Sequence, residues 1–353
     1  GPDIDPSLYG EEPHLDAGLS LNRPLDNLEL RILEFALDRD MPVLARDSVR
    51  FVGEKVAAVA AETLEAAEEA LLLIDVDYEV LQGVTDVLEA MKDDAPVLHE
   101  RLANLENANI RPGGLRDDDD TEKATNISNH FFFELGDTDQ GFKDADIVVE
   151  REFRTATVHQ GYIEPHSATA MWGEDGKLTI WCSSQGHFQI RDLTGLVLGV
   201  PVSQIKVIPM EIGGGFGGKT VIYLEPVAAV LSKKTGRPVK VSMGRAEVFE
   251  ATGPTSGSYI RVKIGANKEG MITAADITMM YEAGGFPGSP INQACQCVMT
   301  PYNIANGRIE GYDVVVNKPK AAAYRAPGVP AAAFAAESVI DEICEKLGID
   351  PRE

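Results

Sequence analysis

The sequence lacks the features that mark several classes of protein. It has no run rich in Lys and Arg, and 32 basic against 56 acidic residues give a formal net charge of -24. Binding to nucleic-acid phosphates or to an anionic membrane surface needs a basic face, so this balance argues against both partners. No apolar run approaches the ~18 residues of a membrane span, and no basic segment with an apolar core begins the chain. We expect a soluble protein without a secretion signal of its own.

Cysteine is scarce as well. The four cysteines lie at Cys182, Cys295, Cys297 and Cys344, and they show neither the ligand spacing of a zinc or iron–sulfur site nor a disulfide framework. The C-x-C spacing of the middle pair is by itself a weak signal. This usage predicts a reducing compartment, the cytoplasm, and no side-chain cluster that ligates a metal directly.

The residues that are present predict a fold of the α+β (mixed α/β) class. Glycine and proline are abundant, at 33 and 20 residues, as is typical of a loop-rich mixed chain. Residues 42–80 predict a small βαβ-like unit with a strand at Lys55–Ala60, a helix at Thr63–Leu73 and a strand at Ile74–Val80. Residues 101–140 are polar, acidic and turn-rich, which predicts a linker and a domain boundary near residue 130.

Strand-like and helix-like patterns follow this linker. A long helix is predicted at Ala331–Leu347, because Pro330 stands near its first turn and Gly348 just past its end. The other predicted strands are Ala145–Arg154, Ala168–Trp172, Leu178–Cys182, Gln204–Ile212, Val239–Met243, Tyr259–Ile264, Ile272–Tyr281 and Asp313–Val316, and the other predicted helices are Phe188–Leu198 and Ile222–Lys234.

The most informative segment is a glycine-rich loop, GGGFGGKT, at residues 213–220. It matches the pattern of a nucleotide phosphate-binding loop, in which backbone N–H groups and a helix N-terminus bind an anion. Its position far along the chain, and the lack of a later strand that ends in a magnesium-binding acid, argue against an NTPase. The glycines can instead permit a tight crossing of backbone, or the loop can wrap a buried cofactor.

Several separated stretches resemble one known family. They are Met210–Lys219 (MEIGGGFGGK), Ser183–Gln185 followed by Leu198–Pro201, Ala323–Gly328 (AYRAPG), Val49–Ala60 (VRFVGEKVAAVA) and Ile163–His166 (IEPH). Their order and separation are similar to those of the molybdenum hydroxylases, which include xanthine dehydrogenase, aldehyde oxidoreductase, carbon monoxide dehydrogenase and nicotinate dehydrogenase. The resemblance covers most of the chain from about residue 42 onward.

The resemblance implies a domain order. Residues 1–100 correspond to the latter part of the family's α/β hammerhead domain, residues 101–130 to a linker, and residues 131–353 to the first molybdopterin-binding domain. The family's second molybdopterin-binding domain is not in this sequence. Since that domain carries the family's catalytic base, a glutamate, the base is expected outside this chain, and no catalytic residue is assigned within it. We expect a fragment, a processed chain or one half of a split subunit, inactive without a partner that supplies the base.

The resemblance also implies a cofactor and the residues that contact it. In the family a pyranopterin, as molybdopterin or its dinucleotide form, holds the molybdenum, so that no protein side chain need bind the metal. Gln185 takes the place of the glutamine that hydrogen-bonds an oxygen on the metal, and Arg325 takes that of the arginine that supports the cofactor from the other side. The glycine loop contributes Gly214, Gly215, Phe216 and Gly217.

The implied reaction is hydroxylation of a small molecule with water as the oxygen source. Electrons then leave through iron–sulfur clusters and FAD on partner subunits or domains. The implied substrate pocket includes Thr220, Gln293 and Pro327. Purine-oxidising members have a glutamate and an arginine where this chain has Thr220 and Gln293, and carbon monoxide dehydrogenases have a cysteine where it has Ala326. An aldehyde or an N-heteroaromatic ring is therefore the expected substrate.

The alternative is a homologue that binds the cofactor without catalysis, or an assembly protein. Retention of Gln185, Phe216 and Arg325 together favours the enzyme.

Overall fold

The computed structural model of the protein describes residues 42–45, 47–99 and 125–352. These residues form two compact units, each built from two stretches of chain. The first unit contains the described residues up to 80 together with residues 161–252, and the second contains the described residues of 81–160 and 253–353.

The first unit is organised around a four-stranded sheet in the order β5-β4-β3-β6. Its strands are β3 (Ser167–Trp172), β4 (Leu178–Cys182), β5 (Ile205–Pro209) and β6 (Val239–Ser242). Its helices are α1 (Leu64–Leu71), α4 (His187–Leu198), α5 (Glu225–Thr235) and α6 (Arg245–Ala251). Strands β4 and β5 are parallel and are joined through α4, as a βαβ crossover requires. Alternate residues of β4 enter the core, where Leu178 and Ile180 are fully buried.

The second unit has a five-stranded sheet in the order β1-β9-β8-β7-β2. Its strands are β1 (Ile127–Leu135), β2 (Ile147–Thr155), β7 (Ser258–Ala266), β8 (Ile272–Gly284) and β9 (Gly307–Val315). Its helices are α2 (Val87–Ala90), α3 (Thr138–Lys143), α7 (Ile291–Cys297) and α8 (Val329–Leu347). Only β8 and β9 pair in parallel; the other neighbours are antiparallel.

Helix α8 covers the core of this second sheet. It places its small apolar residues Ala332, Ala335 and Ala336 in one cluster with the strand residues Ile260 and Val262. Alanine at these positions lets the helix lie close to the sheet. Pro330 occupies the first turn, and Gly348 ends the helix in the left-handed conformation with φ 68°, which glycine adopts without steric cost.

The α+β prediction is confirmed, and most of the predicted elements form with small shifts of their ends. The largest shift is in β9, which begins at Gly307 rather than Asp313. Shifts of three residues occur at the end of β5, the start of α5 and the end of β8. Helix α1 is confirmed, with Thr63 as its N-cap accepting from the Ala66 N–H.

Two strand predictions in the βαβ-like segment are wrong. Residues 55–60 and 74–80 form no strand, because within the described residues neither segment has a paired neighbour. The side chains of residues 74–80 are exposed, with Val80 at 91%, whereas most residues of 55–60 are partly buried.

The predicted linker also needs a correction. The acidic run 117–122 and most of the linker lie outside the described residues, but Ile127–Leu135 forms β1 and pairs with β9. The helices α6 and α7 have no counterpart among the sequence predictions. Within the described ranges, no helix has the length and apolar character needed to cross a membrane.

Candidate functional site

The glycine loop lies between β5 and α5 in the first unit, and its backbone explains its composition. Gly214 and Gly217 have φ values of 98° and 109°, which favour glycine. A Cβ at Gly213 would lie 2.6 Å from the Glu164 Cβ, and one at Gly215 would lie 2.5 Å from the Gln185 Oε1. The glycines are therefore required both by backbone conformation and by close approach.

Phe216, inside this loop, has a backbone conformation that residues other than glycine disfavour. Its φ is 53°, and the residue is 48% exposed. Within the described residues, Phe216 and Ala326 are the two non-glycine residues with positive φ. Such backbone strain concentrates at functional sites, so its occurrence here points to the loop as a site.

Gln185 is brought against the loop, and its amide is oriented by it. Its Oε1 accepts hydrogen bonds from the Gly217 N–H at 2.7 Å and the Lys219 N–H at 3.2 Å. Its own N–H donates to the Lys219 carbonyl at 2.9 Å. Because two backbone donors meet the same side-chain atom, that atom must be the amide oxygen. The Nε2 group donates to none of the described residues, and the side chain is exposed.

The loop also offers backbone donors. Among the described residues, no acceptor is bonded to the N–H groups of Gly214, Gly215 and Phe216. Consecutive free N–H groups in a strained turn are suited to an electronegative ligand. Together with the Gln185 Nε2, they form a set of donors without a protein partner.

The side chain of Lys219 is held inside the protein. Its side chain is fully buried, and its Nζ lies 2.6 Å from the Glu164 Oε2 and 5.0 Å from the centre of the Tyr162 ring. A phosphate-binding loop needs this lysine to reach the nucleotide. The geometry therefore contradicts the NTPase interpretation.

Glu164 is the partner that the sequence patterns did not identify. It accepts from Lys219 Nζ and from the Gly213 N–H, both at 2.6 Å. Burial alone would raise the pKa of this carboxyl, but these hydrogen bonds hold the pKa below its usual value. The sequence offered one signal for this pair, a glutamate in one matched stretch (IEPH) and a lysine in another (GGK). Since a buried lysine requires a carboxylate, the two could have been expected to pair.

The predicted arginine loop lies in the second unit. The exposed Arg325 forms no hydrogen bond or ion pair with the part of the chain that the structure describes. Ala326 follows with a φ of 60°, and Gly328 with a φ of 77°. A Cβ at Gly328 would lie 2.3 Å from the Pro290 carbonyl oxygen, so this loop packs tightly against the start of α7.

Two buried side chains hold the arginine loop. The sequence patterns did not predict this role for either of them. The Tyr281 hydroxyl donates to the Gly328 carbonyl at 2.9 Å. At the start of the loop, the Gln160 Nε2 donates to the carbonyl of Ala323 at 2.8 Å, and it also donates to that of Gly253 at 3.0 Å. Tyr281 is 1% exposed, so it supports the loop from the core and does not line a pocket.

The predicted pocket residues fall in both units. Gln293 is exposed on α7, next to Ala294, which is the residue that faces Gly328; Pro327 is therefore close to the element that carries Gln293. Thr220 lies in the first unit, where its hydroxyl donates to the Gly217 carbonyl at 2.8 Å. No group of three or more His, Cys, Asp or Glu side chains within the described residues is arranged to hold a metal ion.

Comparison with known proteins places the chain in a family. Residues 120–353 match the family model described as the molybdopterin cofactor-binding domain. The chain belongs to the molybdenum hydroxylase family. Residues 25–82 match a second model of the same enzymes, the aldehyde oxidase and xanthine dehydrogenase a/b hammerhead domain.

Individual relatives agree with this membership. The chain is 32% identical to a probable xanthine dehydrogenase subunit of Bacillus subtilis, over 89% of this chain and 40% of that protein. It is 31% identical to the nicotinate dehydrogenase large molybdopterin subunit of Eubacterium barkeri, over 89% of this chain and 69% of that protein. The chain therefore spans less than half of the first relative and about two thirds of the second.

Solved structures of the family share the fold. The aldehyde oxidoreductase from Desulfovibrio gigas superposes with a TM-score of 0.77 at 28% identity, over 88% of this chain and 32% of that one. The CO dehydrogenase from Oligotropha carboxidovorans superposes with a TM-score of 0.76 at 30% identity, over 91% of this chain and 41% of that one.

Proposed function

We propose that this chain supplies the first molybdenum-cofactor-binding part of a hydroxylase that oxidises an aldehyde or an N-heteroaromatic compound. The family membership supports the cofactor class, and one observation carries the assignment of the site. The Gln185 amide oxygen is held by the glycine loop, so that its Nε2 is left as an exposed donor beside the free N–H groups of the loop.

We assign the contacts to the cofactor to Gln185, to the loop residues Gly214–Gly217, and to Arg325. Nε2 of Gln185 and the free loop N–H groups present donors to electronegative atoms, as an oxygen-rich metal centre or a pterin requires. The unpaired guanidinium of Arg325 suits a negatively charged portion of the same group. When bound, the cofactor supplies the two-electron oxidation in which the substrate gains an oxygen atom from water.

The substrate assignment rests on the residues beside these loops. We place Thr220, Gln293 and Pro327 around the substrate, and none of them is charged. Purine-oxidising members of the family have a glutamate and an arginine where this chain has Thr220 and Gln293, so we propose an aldehyde or an N-heteroaromatic ring other than a purine. The Eubacterium barkeri relative, whose name specifies nicotinate, supports testing pyridine compounds first.

We propose further that iron–sulfur and FAD centres on partner subunits or domains accept the electrons. The base that activates the oxygen nucleophile would come from a second molybdopterin-binding domain. These partners follow from the family. The domain limits of the sequence analysis, with the hammerhead part ending near residue 100, belong to the same proposal.

The test is to purify the protein with its natural partners and to measure molybdenum, iron and flavin by elemental analysis and absorbance. Oxidation of aldehydes, pyridine carboxylates and xanthine is then assayed in water enriched in ¹⁸O. The proposal expects near-stoichiometric molybdenum and ¹⁸O in the product of an aldehyde or pyridine substrate.

A matched pair of variants tests the site. Gln185→Leu should lose most of the turnover, while Gln189→Leu, which changes an exposed glutamine on α4, should not. Molybdenum in the wild-type complex without turnover of any of these substrates would instead indicate a cofactor-binding homologue or an assembly protein without catalysis, and absence of molybdenum would refute the cofactor assignment. Equal turnover of both variants would refute the role of Gln185.

A further inference from the structure

An ion pair between a buried lysine and a partly exposed glutamate contacts both ends of the glycine loop. Lys219 Nζ bonds to the Glu164 Oε2 at 2.6 Å and approaches the Ser183 hydroxyl at 3.3 Å. The lysine side chain is 0% exposed, whereas that of Glu164 is 33% exposed. A buried ammonium without a counter-ion is strongly destabilising, so the position of Lys219 depends on Glu164.

The carboxylate of this pair also binds the first residue of the loop. Glu164 Oε2 accepts from the Gly213 N–H at 2.6 Å, and the Glu164 N–H donates to the Gly213 carbonyl at 3.2 Å. A side chain at position 213 would collide with Glu164. The segment that carries Glu164 is itself held, because Arg245 donates to the carbonyls of Tyr162 and Ile163.

The lysine lies at the other end of the loop and is bonded to Gln185 through its backbone. Its N–H donates to Gln185 Oε1, and its carbonyl accepts from the Gln185 N–H. The ion pair therefore joins the start of the loop at Gly213 to its end at Lys219, and the end of the loop sets the orientation of the Gln185 amide. Glu164 and Gln185, both within the described residues, form no hydrogen bond with each other.

We propose that Glu164 and Lys219 are positioning residues that close the glycine loop and thereby direct the Gln185 Nε2 toward the cofactor. The inference rests on the proposed function, since it deepens the role of Gln185. It differs from a merely local role for the ion pair, because it requires that loss of the Glu164 charge be transmitted to Gln185 bonds that Glu164 does not touch.

Hydrogen exchange of single backbone amides separates these two roles. The holoprotein is compared with its Glu164→Gln, Lys219→Met and doubly substituted forms, and with Glu62→Gln as control. Glu62 pairs with Arg237 in the same unit, but both side chains are exposed, at 83% and 70%. Exposed pairs contribute little to stability, so this control should leave the loop unchanged.

The expected result is that the amides of residues 217 and 219 exchange at least about ten-fold faster in each of the three forms. Acceleration at Gly213 alone would show a local bond and would overturn the inference. Should Glu164→Gln fail to fold, Lys219→Met carries the test, because it leaves only a partly exposed carboxylate without its partner. The double form removes both charges and leaves no buried ion unpaired.

A spectroscopic measurement completes the test. In the dithionite-reduced holoprotein, the Mo(V) EPR spectrum should change in the Lys219→Met form, because the donor from Gln185 is displaced. A pair that only stabilised the fold would lower the loaded fraction and leave the spectrum of that fraction unchanged, which would contradict the inference. A wild-type protein without molybdenum overturns the proposed function, whereas a loaded protein whose residues 217 and 219 keep their protection overturns this inference alone.

Discussion

The Gly215→Ala substitution places a methyl group where the Gln185 amide now lies. An added Cβ would be 2.5 Å from Gln185 Oε1 and 2.8 Å from its Cδ. Gly215 is not among the residues with positive φ, so alanine can adopt the backbone conformation. The exposed side chain of Gln185 is therefore the part that must move, and its bonds to the N–H groups of Gly217 and Lys219 are lost.

The expected cost to folding is small. Two neutral hydrogen bonds contribute about 0.5–1.5 kcal/mol each, and water can replace the exposed one to the Gly217 N–H. Alanine also lowers the entropy of the unfolded chain, which offsets about 0.4–1 kcal/mol. The free energy of unfolding should therefore fall by about 1 kcal/mol, little beside the 5–15 kcal/mol typical of a folded protein.

The expected cost to cofactor retention is larger. A hydrogen bond from the Gln185 Nε2 to a charged ligand contributes about 1.5–3 kcal/mol, which corresponds to about 10- to 100-fold in affinity. Urea unfolding and the molybdenum content after dialysis are the two measurements. Gly186→Ala is the matched control, because its Cβ would meet only Gln189 at an ordinary 3.6 Å. If Gly215→Ala keeps its molybdenum as well as this control does, the reasoning about Gln185 is wrong.

Three further predictions concern stability and reactivity. Tyr281→Phe removes the donor to the buried Gly328 carbonyl, so it should lower the unfolding free energy by about 1–3 kcal/mol in urea; an unchanged midpoint would contradict this. The pKa of Glu164 lies below its reference of 4.5, since its hydrogen bonds outweigh the effect of burial. The ionised carboxylate should therefore stabilise the folded protein fully above pH 4.5, and this stabilisation should be lost as the pH falls through the folded pKa. The unfolding free energy of Glu164→Gln should fall less in acid than that of the wild type. Burial raises the pKa of Cys182 to about 12. Iodoacetamide at about pH 8 should therefore label the exposed Cys297 roughly 100-fold faster than Cys182, and equal rates at the two thiols would refute the buried placement of Cys182.

The fold could be predicted from the sequence where the decisive contacts are local. In β4, alternation of buried and partly exposed residues gives the strand its full extent, and helix α8 is bounded by Pro330 and Gly348. Strand β1 could not be found in this way, because it is an edge strand whose identity depends on pairing Phe131 with Gly311, far along the chain. Conversely, residues 74–80 have a strand-like pattern, but among the described residues no partner strand lies beside them.

The site shows the same division between local and distant information. The glycines of the loop predict a close approach of backbone, and the structure places Gln185 there. What approaches them depends on side chains far away in sequence, such as Glu164, which is 55 residues from Lys219. The burial of that lysine follows from this ion pair, and the loop pattern alone suggested the opposite orientation.

The two strained residues, Phe216 and Ala326, show how the fold prepares the matched loops. A positive φ costs a residue with a side chain about 1–2 kcal/mol, so it persists only where neighbouring bonds impose it. At Phe216 the next residue, Gly217, is bonded to Gln185, and at Ala326 the carbonyl accepts from Val329 while Tyr281 holds Gly328. In both loops the neighbouring bonds are already made within the protein, so the strain is met during folding. The free energy of binding a ligand there would not be reduced by the cost of bending the backbone, which is the advantage of a preorganised site.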